Sequence, residues 1–445
     1  MSGPFQQFPL DGGSTADLYL LRYDKDGGLR SPVAEQEIKD RLAGVGDVFL
    51  FSHGWNNIFA QALDRYRSFI SGFIAQRQQF GVPVPPDYRP LLIGVIWPST
   101  SFVMPWEAGP NIAADPDPDG AQARQVEEML GLVTESLDAA ADPEFVELVD
   151  GRSTIDSDAA LRAAEIVLDA LRAGPDPDDG WPPPTAKELL TVWAALDGAE
   201  SAAPPVDPDD FGVAGGTSPG LLVAGGGGFD PRSLLRTATV WKMKARAGEV
   251  GNNGVGPLVA HILRESGVQL HLVGHSFGAK VLLSALASAA PNRPARSMLL
   301  LQAAVNRWCF AADVAGTGRP GGYHAVPESV ERPLLTTFSA FDDPLTKFFH
   351  LAMRGSQLGE PGVAAIGDPE LYGALGGFGP GGVEGISARR PAAVPGAERY
   401  DLGGGLRVIA VDGGVEIDGK PAITGHGEVS NPATWWAMHA LVRPD

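Results

Sequence analysis

Short apolar runs alternate along the chain with longer stretches in which apolar residues recur every three or four positions. The runs 17–22, 47–52, 91–97, 269–274, 297–302, 334–339 and 406–411 have the length of strands and are apolar at successive positions. Strands read this way when both faces of their sheet are covered. Residues 34–42, 58–79, 257–266, 279–290, 345–353 and 432–441 carry helical spacing instead. Strands separated by helices predict an α/β fold, a mostly parallel central sheet with helices on both faces. No internal repeat is visible, and the glycine-rich stretch 355–405 reads as a long loop excursion.

Charge changes this picture in one place. Between residues 105 and 240 there are 26 Asp and Glu against 7 Lys and Arg, a balance of −19 in a chain whose net charge is −20. The same stretch holds Pro-Asp tracts, a Gly225–Gly228 run, and Ala-, Leu- and Glu-rich segments at 121–141, 158–173 and 185–196. It reads as an acidic, mainly helical insertion, a cap or a partly disordered linker, between two core segments, 1–104 and 241–445. A chain this acidic repels phosphate backbones and anionic lipid surfaces, so nucleic-acid binding is not expected. The insertion itself would suit a basic protein partner. Cys309 is the only cysteine, which excludes an internal disulfide and a cysteine-based metal site. The first residues, MSGPFQQFPL, lack a basic segment followed by an apolar one, and no apolar run reaches about 18 residues. A soluble, cytoplasmic protein with no transmembrane segment is the expectation.

The candidate chemistry begins at Gly274-His275-Ser276-Phe277-Gly278, which fits G-x-S-x-G. With 57 glycines in the chain, the bare pattern means little; Gly216-Thr217-Ser218-Pro219-Gly220 matches it too. Context separates the two. Ser276 lies between a strand and a helix, the layout that lifts a nucleophilic Oγ above a sheet edge and turns helix N-terminal N–H groups toward an oxyanion. Ser218 has neither neighbour, and Pro219 has no N–H to donate. The strand at 47–52 ends in His53-Gly54-Trp55-Asn56-Asn57. An H-G-x turn there supplies a second oxyanion N–H, from Trp55, beside that of Phe277. Asn56 or Asn57 would cap the helix that follows, and His53 would brace the loop. The Gly225–Gly228 run has no following Lys-Ser or Lys-Thr and so reads as linker. His271 and His275 are four apart but lie on a strand and its turn, so they do not form a helical zinc pair.

With its HGWNN strand end and GHSFGAK elbow, the chain resembles the α/β-hydrolase superfamily, most closely bacterial esterase- or lipase-like members. The resemblance covers both ends of the chain and not the insertion. It implies a Ser-His-acid hydrolase with the triad in the order Ser, Asp, His and no metal or organic cofactor. Asp342 and Asp343 follow the strand 334–339. Asp343 precedes Pro344 and so has the look of a helix N-cap, which leaves Asp342 as the triad acid and Asp343 as the alternative. The family's usual strand end (a small residue, any two, then the acid) also fits Ser339 to Asp342. Of the later histidines, His324 precedes the acid, while His350 and His439 fall within helices. His426 sits in a Gly-His-Gly loop and becomes the general base. The expected substrate is a small-molecule or lipid-like carboxylic ester. Thioester or amide cleavage on the same triad, or a non-catalytic interaction role for the fold, are the alternatives.

Overall fold

The protein was described from a computed structural model that covers residues 3–99 except 11, 12, 56, 58 and 85–87; 127–171 except 128, 132, 136, 138–140, 151 and 153; 185–190 except 188; 229–349 except 316; and 369–443. The first part of the chain builds strands β1 (Gln6–Pro9), β2 (Thr15–Arg22), β3 (Asp47–Ser52) and β4 (Leu91–Ile96), with helices α1 (Pro32–Arg41) and α2 (Phe59–Phe80). Then come α3 (Ala141–Val149), α4 (Ser157–Leu171), α5 (Pro231–Glu249) and α6 (Gly256–Glu265). The second part supplies β5 (Gln269–His275), α7 (Phe277–Ala289), β6 (Ser297–Leu301), β7 (Leu334–Phe338), β8 (Ser387–Pro391), β9 (Val408–Asp412) and α8 (Pro432–Val442).

These strands form one nine-stranded sheet in the order β1-β2-β4-β3-β5-β6-β7-β9-β8. Only β1 runs antiparallel to its neighbour; every other pairing is parallel. The apolar runs are explained by the two layers they face. Val48, Leu50, Leu270, Leu272, Met298 and Leu300 point into one core with residues of α5, α6 and α7. Phe49, Phe51, Val273, Leu299 and Leu301 point into the other, with Leu63, Tyr66 and Phe69 of α2 and Trp436, Met438 and Leu441 of α8. Period-two alternation therefore sorts side chains between two dry layers rather than between core and water.

Two strands and a helix depart from the sequence expectation. β1 and β8 are the edge strands. β8, SARRP, falls inside the stretch expected to be loop, and its residues are half-buried or exposed. Edge strands carry charge and proline because one side meets water, so they lack the apolar signature of central ones. α5 runs unbroken across residue 240, the expected end of the insertion, and buries Leu234, Leu235, Ala238, Met243 and Ala247 in the first core. Upstream of it, α3 and α4 place Phe145, Val149, Ala163 and Val167 in that same core. Glu135 pairs with Lys242 at 3.1 Å and with Arg246 at 3.4 Å, joining this segment to α5. The remainder of the acidic stretch, with Ser218 and Gly225–Gly228, lies outside the described residues, as does His350. No helix of the described residues is long and apolar enough to cross a membrane.

Gly94, in the middle of β4, makes room for the ring of Tyr66, whose hydroxyl donates to the Val95 carbonyl and accepts from the His53 N–H at 2.9 Å. A Cβ at Gly94 would lie 2.8 Å from that ring, which these two bonds hold in place. Gly94→Ala is expected to destabilise the fold by about 1–3 kcal/mol, as overpacking does. A denaturant midpoint equal to that of the wild type would show that the ring can yield.

Candidate active site

Parallel strands bring their carboxyl ends to one edge of the sheet, where open α/β sheets hold their ligands. Four adjacent strands, β3, β5, β6 and β7, end there and deliver His53, Ser276, Gln302 and Ser339 in turn.

Ser276 sits between β5 and α7 with φ 55° and ψ −126°, a conformation L residues rarely adopt. Its surroundings impose it. The Ser276 N–H donates to the Leu301 carbonyl at 3.1 Å, and its carbonyl accepts from Ala279 and Ala304 at 3.1 and 3.3 Å. The flanking glycines are required by contact. A Cβ on Gly274 would meet the Ala279 backbone at 2.7 Å, and one on Gly278 would meet the Ser52 carbonyl oxygen at 2.2 Å. Ser276 occupies the N-cap position of α7 without making a side-chain cap bond. Its Oγ lies 2.9 Å from His426 Nε2.

His426 comes from the loop between β9 and α8, and its Nδ1 lies 2.8 Å from Asp342 Oδ2. A carboxylate can only accept, so Nδ1 carries the proton and Nε2 presents a lone pair to the Ser276 hydroxyl. Asp342 has no exposed surface. Its Oδ2 also accepts from Gln302 Nε2 at 2.9 Å, and its Oδ1 accepts from the Leu345 N–H at 3.1 Å. The structure thus brings Ser276, His426 and Asp342 into one chain of hydrogen bonds, with Asp342 rather than Asp343 on Nδ1. The cap expected at Asp343 is made by its neighbour. Asp343 is helical, φ −56° and ψ −45°, and makes no side-chain cap bond. Asp342 does the capping through Oδ1 while Oδ2 holds the imidazole, so one carboxylate performs both tasks.

Gln302 is the residue that sequence reasoning passed over. It adopts φ 44°, its Nε2 donates to Asp342 and to the Gly376 carbonyl (3.0 Å), and its Oε1 accepts from Thr337 Oγ1 at 2.9 Å. A lone polar residue closing the run Met298-Leu-Leu-Leu was the available signal.

On the other side of Ser276, a Cβ on Gly54 would lie 2.6 Å from the Ser276 Cβ, so the HGWNN turn packs against the nucleophile. Trp55 follows directly, and its ring lies 6.1 Å from that of Phe277, the first residue of α7. The first N–H groups of a helix have no acceptor within it, and that of Phe277 is the first of α7. His53 stacks on Trp97 at 5.6 Å, and its Nδ1 is 2.9 Å from the Gly54 carbonyl. Asn57 turns its carboxamide back on the loop, donating to the carbonyls of Gly54 and Trp55 at 3.0 and 2.8 Å. Asn56 lies outside the described residues.

Four other histidines are held by contacts of their own. His271 bonds Ser297 at 2.7 Å and Asp47 at 3.1 Å, and His275 bonds the His426 carbonyl at 2.8 Å. His324 bonds the Gly321 carbonyl, and His439 stacks on Phe73 at 4.1 Å. Among the described residues, no group of three His, Cys, Asp or Glu is placed to hold a metal ion. Compared with family models, curated proteins and solved structures, the chain shows no match.

Burial pushes His53 down to about 4, His271 below its ordinary value and His275 well below it. All three are therefore neutral when folded, whereas in an unfolded chain each titrates near 6.5. As pH falls below about 6.5 the unfolded state binds protons that the folded state excludes, so stability is lost toward pH 4 and fully present above 6.5. Each such group steepens the dependence by up to about 1.4 kcal/mol per pH unit. Denaturant midpoints at pH 7, 6 and 5 are expected to fall in that order, and less steeply in His53→Gln. A flat profile over this range would contradict neutral burial.

Proposed function

We propose that the chain is a serine hydrolase of the α/β-hydrolase type, cleaving carboxylic esters through an acyl-enzyme on Ser276. One observation carries the reading: Ser276 Oγ, His426 and Asp342 are linked at 2.9 and 2.8 Å in the polarity a nucleophile, base and orienting acid require. Sequence order, strand ends and the strained serine between two tightly packed glycines support it further.

In this mechanism Ser276 Oγ attacks the acyl carbonyl carbon while His426 Nε2 takes the hydroxyl proton. Negative charge gathers on the carbonyl oxygen, where the Phe277 and Trp55 N–H groups stabilise it. Asp342, dry and fixed, holds the imidazole tautomer and stabilises the imidazolium that forms. The imidazolium Nε2–H then protonates the leaving alcohol as the C–O bond breaks. Water, deprotonated by the same nitrogen, releases the acid and restores Ser276. A thioester or an amide would pass through the same steps with a different leaving group. A purely binding role would give no physical reason for holding a strained serine against a buried His–Asp pair.

Hydrolysis of p-nitrophenyl esters of several chain lengths tests the reading. Ser276→Ala is expected to lower kcat by about 10⁴-fold or more with the fold intact. Asp342→Asn turns an N–H toward two donors, so it is expected to lose kcat comparably, and some stability as well. Asp343→Asn should retain near-wild-type turnover. Full activity in Ser276→Ala, or collapse in Asp343→Asn alone, would reassign the site.

A further inference from the structure

Resting on that reading, an oxyanion site works only if its N–H groups are aimed before the substrate arrives. The Gly54 carbonyl and the Trp55 N–H belong to one peptide unit, and in a trans peptide they point in opposite directions; no described peptide bond is cis. Whatever holds the Gly54 carbonyl therefore aims the Trp55 N–H. Asn57 Nδ2 holds it at 3.0 Å from one side and His53 Nδ1 lies 2.9 Å from it, and Asn57 Nδ2 alone also takes the Trp55 carbonyl, at 2.8 Å. The orientation of that carboxamide is fixed in turn, because its Oδ1 faces a group that can only donate, Arg65 Nε, at 2.7 Å. Arg65 reaches further: its Nη1 donates to the carbonyl of Gly427, at 3.2 Å. Gly427 is the residue after His426.

The loop that Arg65 touches is also held at Val429, buried in the second core, and at Ser430, bonded to Ser68 at 2.9 Å. A cavity of about 330 Å³ lies against residues Gly427 to Ser430 on the α2 side, lined also by Ser52, His275 and Val273. Nearer the histidine, the loop is held by Arg65 to Gly427 and by His275 to the His426 carbonyl, the latter at 2.8 Å. Asn57 is buried, while Arg65 lies at the surface of α2 with its Nε directed inward.

We propose that Asn57 and Arg65 are positioning residues of this site: the Asn57 carboxamide turns the Trp55 N–H toward the oxyanion, and the Arg65 guanidinium ties that loop to the one carrying His426. Neither touches the reacting atoms. The fork of the guanidinium matters, since Nε and Nη1 serve acceptors on two different loops at once. Charge elsewhere on the side chain would not replace it.

Two shape-preserving variants test this on the full-length protein with a p-nitrophenyl ester. Asn57→Asp substitutes a carboxylate oxygen for the donor and repels both carbonyls; kcat is expected to fall about 10- to 100-fold with KM within about twofold. Arg65→Met keeps the apolar stem and removes the fork; kcat is expected to fall about 3- to 10-fold with the thermal midpoint nearly unchanged. Because Arg65 acts partly through Asn57, the double variant should lose less than the product of the two factors. Amide hydrogen exchange, which needs no turnover, supplies the second readout: Arg65→Met should quicken exchange both at Gly54–Trp55 and at His426–Gly427. Unchanged kcat in Arg65→Met, fully multiplicative factors, a rise in KM alone, or exchange unaltered in either loop would overturn the proposal. If Asn57→Asp does not fold, Arg65→Met and the exchange data decide it. A wild type without Ser276-dependent hydrolysis would defeat the reading of function instead, and exchange would still report whether the two loops are tied.

Discussion

A carboxylate cut off from water has to be surrounded by donors, and much of this molecule's architecture follows from meeting that demand at Asp342. Three donors converge on it from three parts of the chain: the His426 imidazole, the Gln302 carboxamide and the Leu345 N–H. Each depends on something else being in place. Gln302 must leave β6 with a positive φ to reach the acid, and its other end is pinned by Thr337 of the neighbouring strand. Leu345 must begin a helical turn just after Asp342. His426 must be held over the sheet edge, and Ser339 helps by donating to the Ile423 carbonyl at 2.8 Å, joining the end of β7 to the loop that carries it. Removing any one donor leaves a buried charge incompletely satisfied, so the acid, the loop and the strand ends stand or fall together.

The second constraint is steric and lies on the other side of the histidine. Strand β5 and helix α7 approach so closely at the turn that backbone atoms occupy the space of two Cβ groups, at Gly274 and Gly278. That contact stores strain in Ser276 and commits its Oγ to His426 rather than to capping α7. The HGWNN turn closes the arrangement because Gly54 fits against Ser276 without a side chain. Rigidity thus comes from close packing of backbone on one side and from a satisfied buried charge on the other. Such rigidity is what a site needs if its groups are to be aligned before a reaction begins.

How much of this could be read beforehand follows the same division. The central strands were legible because a run such as DVFLFS, apolar at nearly every position, fits only a strand covered on both faces. Edge strand β8, with Arg389 and Arg390, carries no such mark and hid in glycine-rich sequence. Helix α5 was masked differently: its apolar residues Leu234, Ala238 and Met243 do keep helical spacing, but a boundary drawn on charge at residue 240 cut through them. Within the site, Ser276 was legible from a strand, a turn and a helix that are contiguous in sequence. His426 followed from its loop and its place in chain order. Asp342 is marked only in part, since the cap that Asp343-Pro344 suggests in sequence is made by Asp342 itself. Gln302 shows in sequence only as a polar residue closing an apolar run, and Asn57 only as a possible cap, because their roles exist only once Asp342 and Arg65 have been folded against them.

On the proposed reading, Ser276, and no other serine, is made nucleophilic by this geometry. Treating the full-length protein with a fluorophosphonate and mapping the adduct by peptide mass spectrometry tests it most directly. A single covalent adduct is expected, on the peptide containing Ser276, and it should not form in His426→Ala. An adduct on a different serine such as Ser218, or equal labelling of Ser276 without His426, would contradict it.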